Sequence, residues 1–268
     1  MITTNECTIW KGKRFSQWVK WTAKVPKHKI IVLDLDETIG SFGDLYIVWK
    51  GIQKFEPAFT DFSALCLLYP EFLRYGMLSI LEFLLTAKKG RYIQQLFLYT
   101  NNHCGKAWIQ QISDWLDGLL GEGLFDRLIT INETHKIRKS YEELIKFLPI
   151  GMEPDDTEFC FVDDIIHPLM KHPLLYYISP LSFHHSLSWN EVICRLIAKQ
   201  WFKEQSILHS HLFWRAWRKH RSGSTKTSSN VLMDLMISTK IVAHIKEFIC
   251  WGIQKKRKKS LLQTRKKR

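Results

Sequence analysis

No two of the six cysteines stand in a CxxC arrangement: Cys7, Cys66, Cys104, Cys160, Cys194 and Cys250 are scattered through 268 residues. That spacing argues against a cysteine zinc site and reads as free thiols in a reducing, intracellular compartment. No apolar run is long and clean enough to span a bilayer. The best candidate, residues 64–85, is interrupted by Pro70, Glu71, Arg74 and Glu82, so it is expected as core helix. No signal peptide is read at the start of the chain. Acids are missing from residues 255–268, where Lys255, Lys256, Arg257, Lys258, Lys259, Arg265, Lys266, Lys267 and Arg268 stand. Removing these nine positive charges from the formal total of +13 leaves +4, so the basic excess is largely a property of the tail. His184 with His185, and His209 with His211, lack Cys or acid partners at matching spacing, which argues against a metal site built on them.

What is present is a chain sized for one α/β domain plus something smaller, organised around IIVLDLDETIG at residues 30–40. The aliphatic run reads as a strand buried on both faces, as in a parallel sheet. It stops at Asp34 and Asp36, whose carboxyls can converge at the strand's C-terminal end, where open α/β sheets bind ligands. Two carboxylates in one crevice repel unless a cation or a proton intervenes. Hard oxygen ligands there suit Mg²⁺, particularly when a phosphate completes its shell. One acid can then be nucleophile and ligand while the other shuttles a proton. Read alone, a DxD is as easily a surface turn with two solvated acids. Here the pair ends a hydrophobic strand and is followed by Thr38.

Similar endings recur along the chain. Residues 41–51 (SFGDLYIVWKG) are expected as a turn and one short strand, a flap beside the site. Residues 59–89 read as helix in two pieces broken near Pro70, with Gly90 as a cap. LFLYTNN at 96–102 reads as a second buried strand ending in Thr100, Asn101 and Asn102. These groups can donate hydrogen bonds to phosphate without adding negative charge, or can cap a helix over residues 106–120. A third short strand is expected at 124–131 and a helix over 135–144. A lysine of that helix can reach a phosphate site, Lys139 first and Lys136 in reserve, although a helical lysine is usually a solvated charge. EFCFVDD at 158–164 is a fourth strand, and Asp163 or Asp164 can complete a metal shell begun by Asp34. A further strand at 174–178 leads to Ser179-Pro180. Several buried strands thus each end in a polar group useful for Mg²⁺-assisted phosphate chemistry.

The flanks are basic and aromatic. Residues 10–29 mix Trp10, Trp18 and Trp21 with lysines and Arg14, a pattern that suits nucleotide stacking or, preferably, a short helix packing its Trp face on the domain. Residues 189–254 read as a helical extension, with a Gly/Ser/Thr-rich linker at 222–230 and an amphipathic helix at 231–251. The expected division is an N-terminal segment 1–26, a catalytic domain 27–188, the extension 189–254 and the basic tail 255–268. The tail suits nuclear localisation, nucleic acid or an anionic membrane surface, or simply a solubilising end.

DLDET at 34–38, the strand end at Thr100, a lysine near 139 and the Asp163-Asp164 pair, in this order, resemble the four motifs of the haloacid dehalogenase (HAD) superfamily over residues 27–185. DLDETIGSF, LFLYTNN, FCFVDD and Arg74-Tyr75-Gly76, in place of the usual Arg-Pro-Gly, look most like the NLI-interacting-factor or CTD-type phosphatases. Homologues of that group occur in large DNA viruses, and the composition here suits a viral gene. The resemblance implies a three-layer, Rossmann-like core with a parallel central sheet. It implies an Asp34 nucleophile, Asp36 as acid and base, and Mg²⁺ on Asp34, the Asp36 backbone carbonyl and Asp163, assisted by Asp164. Thr100, Asn101 and Lys139 would bind the phosphoryl group. Neither residues 37–99 nor the interval from Thr100 to Lys139 leaves room for a large cap domain, which suits a phosphate carried on a macromolecule. A phosphoprotein substrate is the first expectation and a nucleic-acid 3′-phosphate the second. A non-catalytic binding protein on a phosphatase fold is the third, and the intact acids argue against it.

Overall fold

The computed structural model describes residues 2–4, 6–16, 28–130, 133, 138–201 and 230–251. Strands β1 (Ile2–Thr3), β2 (Cys7–Lys11), β3 (His28–Leu33), β4 (Gln95–Thr100), β5 (Arg127–Thr130), β6 (Thr157–Val162) and β7 (Leu175–Pro180) form one sheet in the order β1-β2-β7-β6-β3-β4-β5. The five strands from β7 to β5 are parallel, while β2 joins β7 and β1 joins β2 antiparallel. The chain is therefore α/β, and the expected parallel sheet is extended at one edge into a mixed one. The departure comes from the N-terminal segment. Residues 7–11 extend along β7 with Cys7 and Ile9 buried, and among the described residues of this segment only the single turn α1 (Lys13–Ser16) is helical. Trp10 packs from the sheet against core residues, the packing role rather than a stacking platform. Trp18 and Trp21 lie outside the described residues.

Alternation along the strands divides the core in two, because successive side chains of a strand point to opposite faces. Ile31, Leu33, Leu96, Leu98, Cys160, Val162, Tyr176 and Ile178 face one side, and Ile30, Val32, Phe97, Tyr99, Phe159, Phe161, Leu175 and Tyr177 the other. The first face carries most of the helices: α2 (Phe42–Phe55), α3 (Phe62–Leu68), α4 (Met77–Lys89) and α5 (Lys106–Leu120). The second is covered by the short α6 (Tyr141–Leu144) and 3₁₀ turns.

Residues 41–51 are not a flap strand. Phe42, Leu45, Val48, Trp49 and Ile52 are buried at helical spacing, and they make the segment part of α2. The β-branched and aromatic run Tyr46–Trp49 looks like a strand locally, but packing follows the 3.6-residue period. The two-piece reading of 59–89 matches α3 and α4, separated by a 3₁₀ turn at Pro70–Phe72. Lys139 does not sit on a helix: it precedes Ser140, whose hydroxyl caps α6 by accepting from Glu143 N. Lys136 lies outside the described residues.

The C-terminal helices α7 (Trp189–Ala198) and α8 (Val231–Cys250) share the first core rather than standing apart from it. Val192 and Leu196 of α7, and Ile237, Ile241, Ile245 and Phe248 of α8, are buried there. Tyr69 Oη donates to Val192 O at 2.6 Å, and α8 lies against α4 and β7. The basic tail 255–268 lies outside the described residues, among which no helix is long and apolar enough to cross a membrane.

Candidate active site

Register sets the site. Leu33 pairs with both Val162 and Leu98, so β3, β6 and β4 finish close together. Asp34 and Asp163 each follow their strand by one residue. Asp34 N donates to Val162 O at 2.9 Å and Asp163 N to Ile178 O at 3.1 Å, extending the ladder to the acids themselves. One carboxylate oxygen from each of Asp34, Asp163 and Asp164 lies within 4.8 Å of the others, a group able to hold a metal ion.

The Lys139 ammonium reaches into this group. Its Nζ donates to Asp34 Oδ1 at 2.5 Å and to Asp163 Oδ2 at 2.7 Å, above the rings of Tyr99 and Phe161. Lys139 is 3% exposed and Asp163 1%. Burial alone would lower the lysine, but the two carboxylates outweigh it and hold the ammonium above its ordinary value. Burial pushes Asp34 well up, offset only in part by Lys139. Asp163 has the better support: it accepts from Ile165 N at 2.8 Å, and Lys139 and His167, whose Nε2 is 3.3 Å away, hold it below its usual range against its burial. With all three acids ionised, one ammonium would leave two negative charges, which a divalent cation would neutralise.

Asp164 is turned toward the first motif. Its N–H donates to Thr38 Oγ1 at 3.0 Å, the Thr38 hydroxyl donates to its Oδ1 at 3.3 Å, and Ser182 Oγ donates to its Oδ2 at 2.5 Å. Asp36 sits beside the metal group rather than in it. Its Oδ1 accepts from Gly43 N at 3.0 Å, at the positive end of α2, and its Oδ2 accepts from Asn102 Nδ2 at 2.7 Å. Burial, then the neighbouring Glu37, raises Asp36 to about 7 despite those two donors. That is a carboxyl poised to give and take a proton near neutrality.

The structure thus brings together Asp34, Asp163, Asp164 and Lys139, with Asp36 alongside. The Asp36 side chain is not in the metal group. The amide on its carboxylate is that of Asn102, while Asn101 is the one the sequence puts forward for the phosphoryl group. Asn102 stands in a turn where its N–H donates to Thr100 Oγ1 and Cys104 N donates to Asn102 Oδ1. This use of its Oγ1 as an acceptor leaves the buried Thr100 hydroxyl proton available to a ligand. Sequence reasoning offers Asn102 only as one of two amides at the end of this strand and does not foresee its bond to Asp36. It passes over His167 as a site residue.

Arg74 is the other residue whose role only the fold displays. Its guanidinium is buried and donates through Nε to Thr38 O at 2.7 Å and through Nη2 to Glu37 O at 2.6 Å and Leu181 O at 2.7 Å. It therefore clamps the loop directly after Asp36 to the loop that carries Ser182. Glu37 needs such support, since its φ of 57° lies in the left-handed region that a residue with a side chain seldom adopts. Compared with known proteins, the chain matches no family model, no curated protein and no solved structure.

Proposed function

We propose that this chain is a Mg²⁺-dependent phosphomonoester hydrolase that forms an aspartyl-phosphate on Asp34. The observation that carries this reading is the shared Lys139 ammonium between Asp34 and Asp163, with Asp164 close by and a separate proton-active carboxyl at Asp36. Asp34, Asp163 and Asp164 would hold the cation, which when bound supplies Lewis-acid charge neutralisation for the phosphoryl oxygens. Lys139 holds Oδ1 of Asp34 and leaves Oδ2 to attack phosphorus. The ester P–O bond breaks, and the leaving oxygen takes its proton from Asp36. Asp36 then accepts a proton from water as that water attacks the aspartyl-phosphate, releasing inorganic phosphate and free Asp34. Lys139 and the Thr100 hydroxyl face the charge that develops on the transferring group.

A phosphoprotein is the favoured substrate. Residues 37–99 include α2, α3 and α4, whose apolar faces lie in the core, and this supports a crevice left open to a phosphate carried on a macromolecule. The fit to HAD phosphatases of the CTD type rests on the motifs and on this arrangement of acids and lysine.

The test is hydrolysis of para-nitrophenyl phosphate with and without Mg²⁺ by the wild type and Asp34→Asn. Turnover that needs the metal and drops roughly 10⁴- to 10⁶-fold in the variant supports the reading. Turnover indifferent to both refutes it. Phosphopeptides and 3′-phosphorylated oligonucleotides offered side by side then decide the substrate class.

A further inference from the structure

The Arg74-Tyr75-Gly76 turn is seated on the C-terminal helix. Asp234 Oδ1 of α8 stands 3.5 Å from Arg74 Nη1, with both side chains almost wholly buried (0% and 1% exposed). One helical turn further along, Ser238 Oγ donates to Tyr75 O at 2.7 Å. Gly76, with φ 80°, completes the fit. A Cβ there would lie 2.9 Å from Ser238 Cβ, so the helix approaches as closely as a glycine allows. Three consecutive residues of the turn thus meet two residues of α8 spaced by four, 160 positions along the chain from Arg74 to Asp234.

We infer that Asp234 and Ser238 are positioning residues of the candidate active site: helix α8 holds Arg74, whose guanidinium fixes the carbonyls of Glu37, Thr38 and Leu181 and through them the placement of Asp36 and Asp164. The catalytic consequence rests on the phosphatase reading, but the geometric one does not. A buried guanidinium is costly without a counter-charge, and the burial of Arg74 already lowers it to about 10. Asp234 supplies the largest compensation, and the next carboxylate acting on Arg74 is Asp164, a member of the metal group. Removing Asp234 leaves the Arg74 charge to be drawn toward that acid and away from the loop carbonyls. The left-handed Glu37, next to Asp36, then loses the clamp that holds it.

The test uses the full chain with Asp234→Asn, Asp234→Glu and Ser238→Ala and two readouts. Amide hydrogen exchange should accelerate about 10-fold at Glu37, Ile39 and Gly40 in Asp234→Asn, relative to the amides of β4. In turnover of para-nitrophenyl phosphate, kcat should fall roughly 10- to 100-fold with KM within about twofold, as expected for misplaced rather than missing groups, and Asp234→Glu should restore part of it. Uniform acceleration of exchange across the sheet, with kcat unchanged at temperatures well below melting, would make α8 merely structural and overturn the inference. A wild type without turnover refutes the phosphatase reading alone, and the exchange pattern still decides the positioning role. If Asp234→Asn does not fold, Ser238→Ala, which removes a single hydrogen bond, carries both readouts with smaller changes of the same sign.

Discussion

The parallel pair β3 and β6 carries a buried charge cluster at each end, and the two clusters are built on opposite plans. At the N-terminal end Lys29 pairs in register with Glu158. Glu158 is flanked by Arg14 Nε and, at 3.5 Å, by Lys29 Nζ. The surplus positive charge is absorbed by backbone: Lys29 Nζ donates to the carbonyls of Phe248, Ile249 and Trp251, at the negative end of α8. At the C-terminal end one lysine, Lys139, faces three acids, Asp34, Asp163 and Asp164, so carboxyls outnumber the cation, with a fourth, proton-active carboxyl alongside. Burial is common to both ends. What separates a structural cluster from a chemical one is the sign and size of the charge left over after the protein's own partners are counted.

The sharpest way to break this comparison is to remove one lysine from each end. Lys139→Met should lower kcat for para-nitrophenyl phosphate by roughly 10²- to 10³-fold, the effect of losing a donor aimed at developing charge. Lys29→Met strips donors from three helix carbonyls and should cost about 1–3 kcal/mol in urea unfolding while leaving kcat within about twofold. Equal losses of turnover in the two variants would erase the distinction. A smaller effect is expected at Asn102. Its bond to the Asp36 carboxylate is worth about 1.5–3 kcal/mol, so Asn102→Ala should reduce kcat about 10- to 100-fold, and by more than Asn101→Ala does. The smallest is the pH dependence. Asp36 must be protonated to donate, so the single-turnover rate should fall as pH rises through about 7, by about tenfold per unit well above it. Its folded value lies above its unfolded one, so ionising it opposes folding. Stability should fall between the ordinary carboxylate range and about pH 7 and then level off, and Asp36→Asn should flatten that slope in urea midpoints taken across pH.

Much of the site is legible because buried parallel strands are written as unbroken apolar runs, and the residues just past each run must lie at the crevice. Asp34, Thr100 and Asp163 are placed on that ground alone. Residues that act through non-local contacts leave no such mark. The pairing of Arg74 with Asp234, and of Glu158 with Arg14, depends on where distant elements dock, which local pattern does not encode. The helix α2 is hidden behind Tyr46, Ile47, Val48 and Trp49, a stretch with strand composition and helical periodicity. The strand Cys7–Lys11 is obscured by the lysines and tryptophans around it, since an edge strand with one half-exposed face need not be apolar throughout. Lys139 reaches the acids, as its sequence suggests, but not from a helix, because the Ser140 cap that ends its loop is a short signal inside a charged run.

Helix α8 lies late in the chain yet touches its start: Lys11 pairs with Glu247 and Lys240 with Glu6, across more than 230 positions. During synthesis the N-terminal strand, the acids and Lys139 all leave the ribosome well before residues 230–251. Until that helix arrives, β7 and α4 expose the apolar surface it covers, and Arg74 has no carboxylate from Asp234 to oppose its charge. A nascent or truncated polypeptide therefore carries every acid of the site without the clasp that sets their loop. On the positioning role inferred for α8, the arrangement of this site waits for the last-made of these elements rather than accumulating along the way.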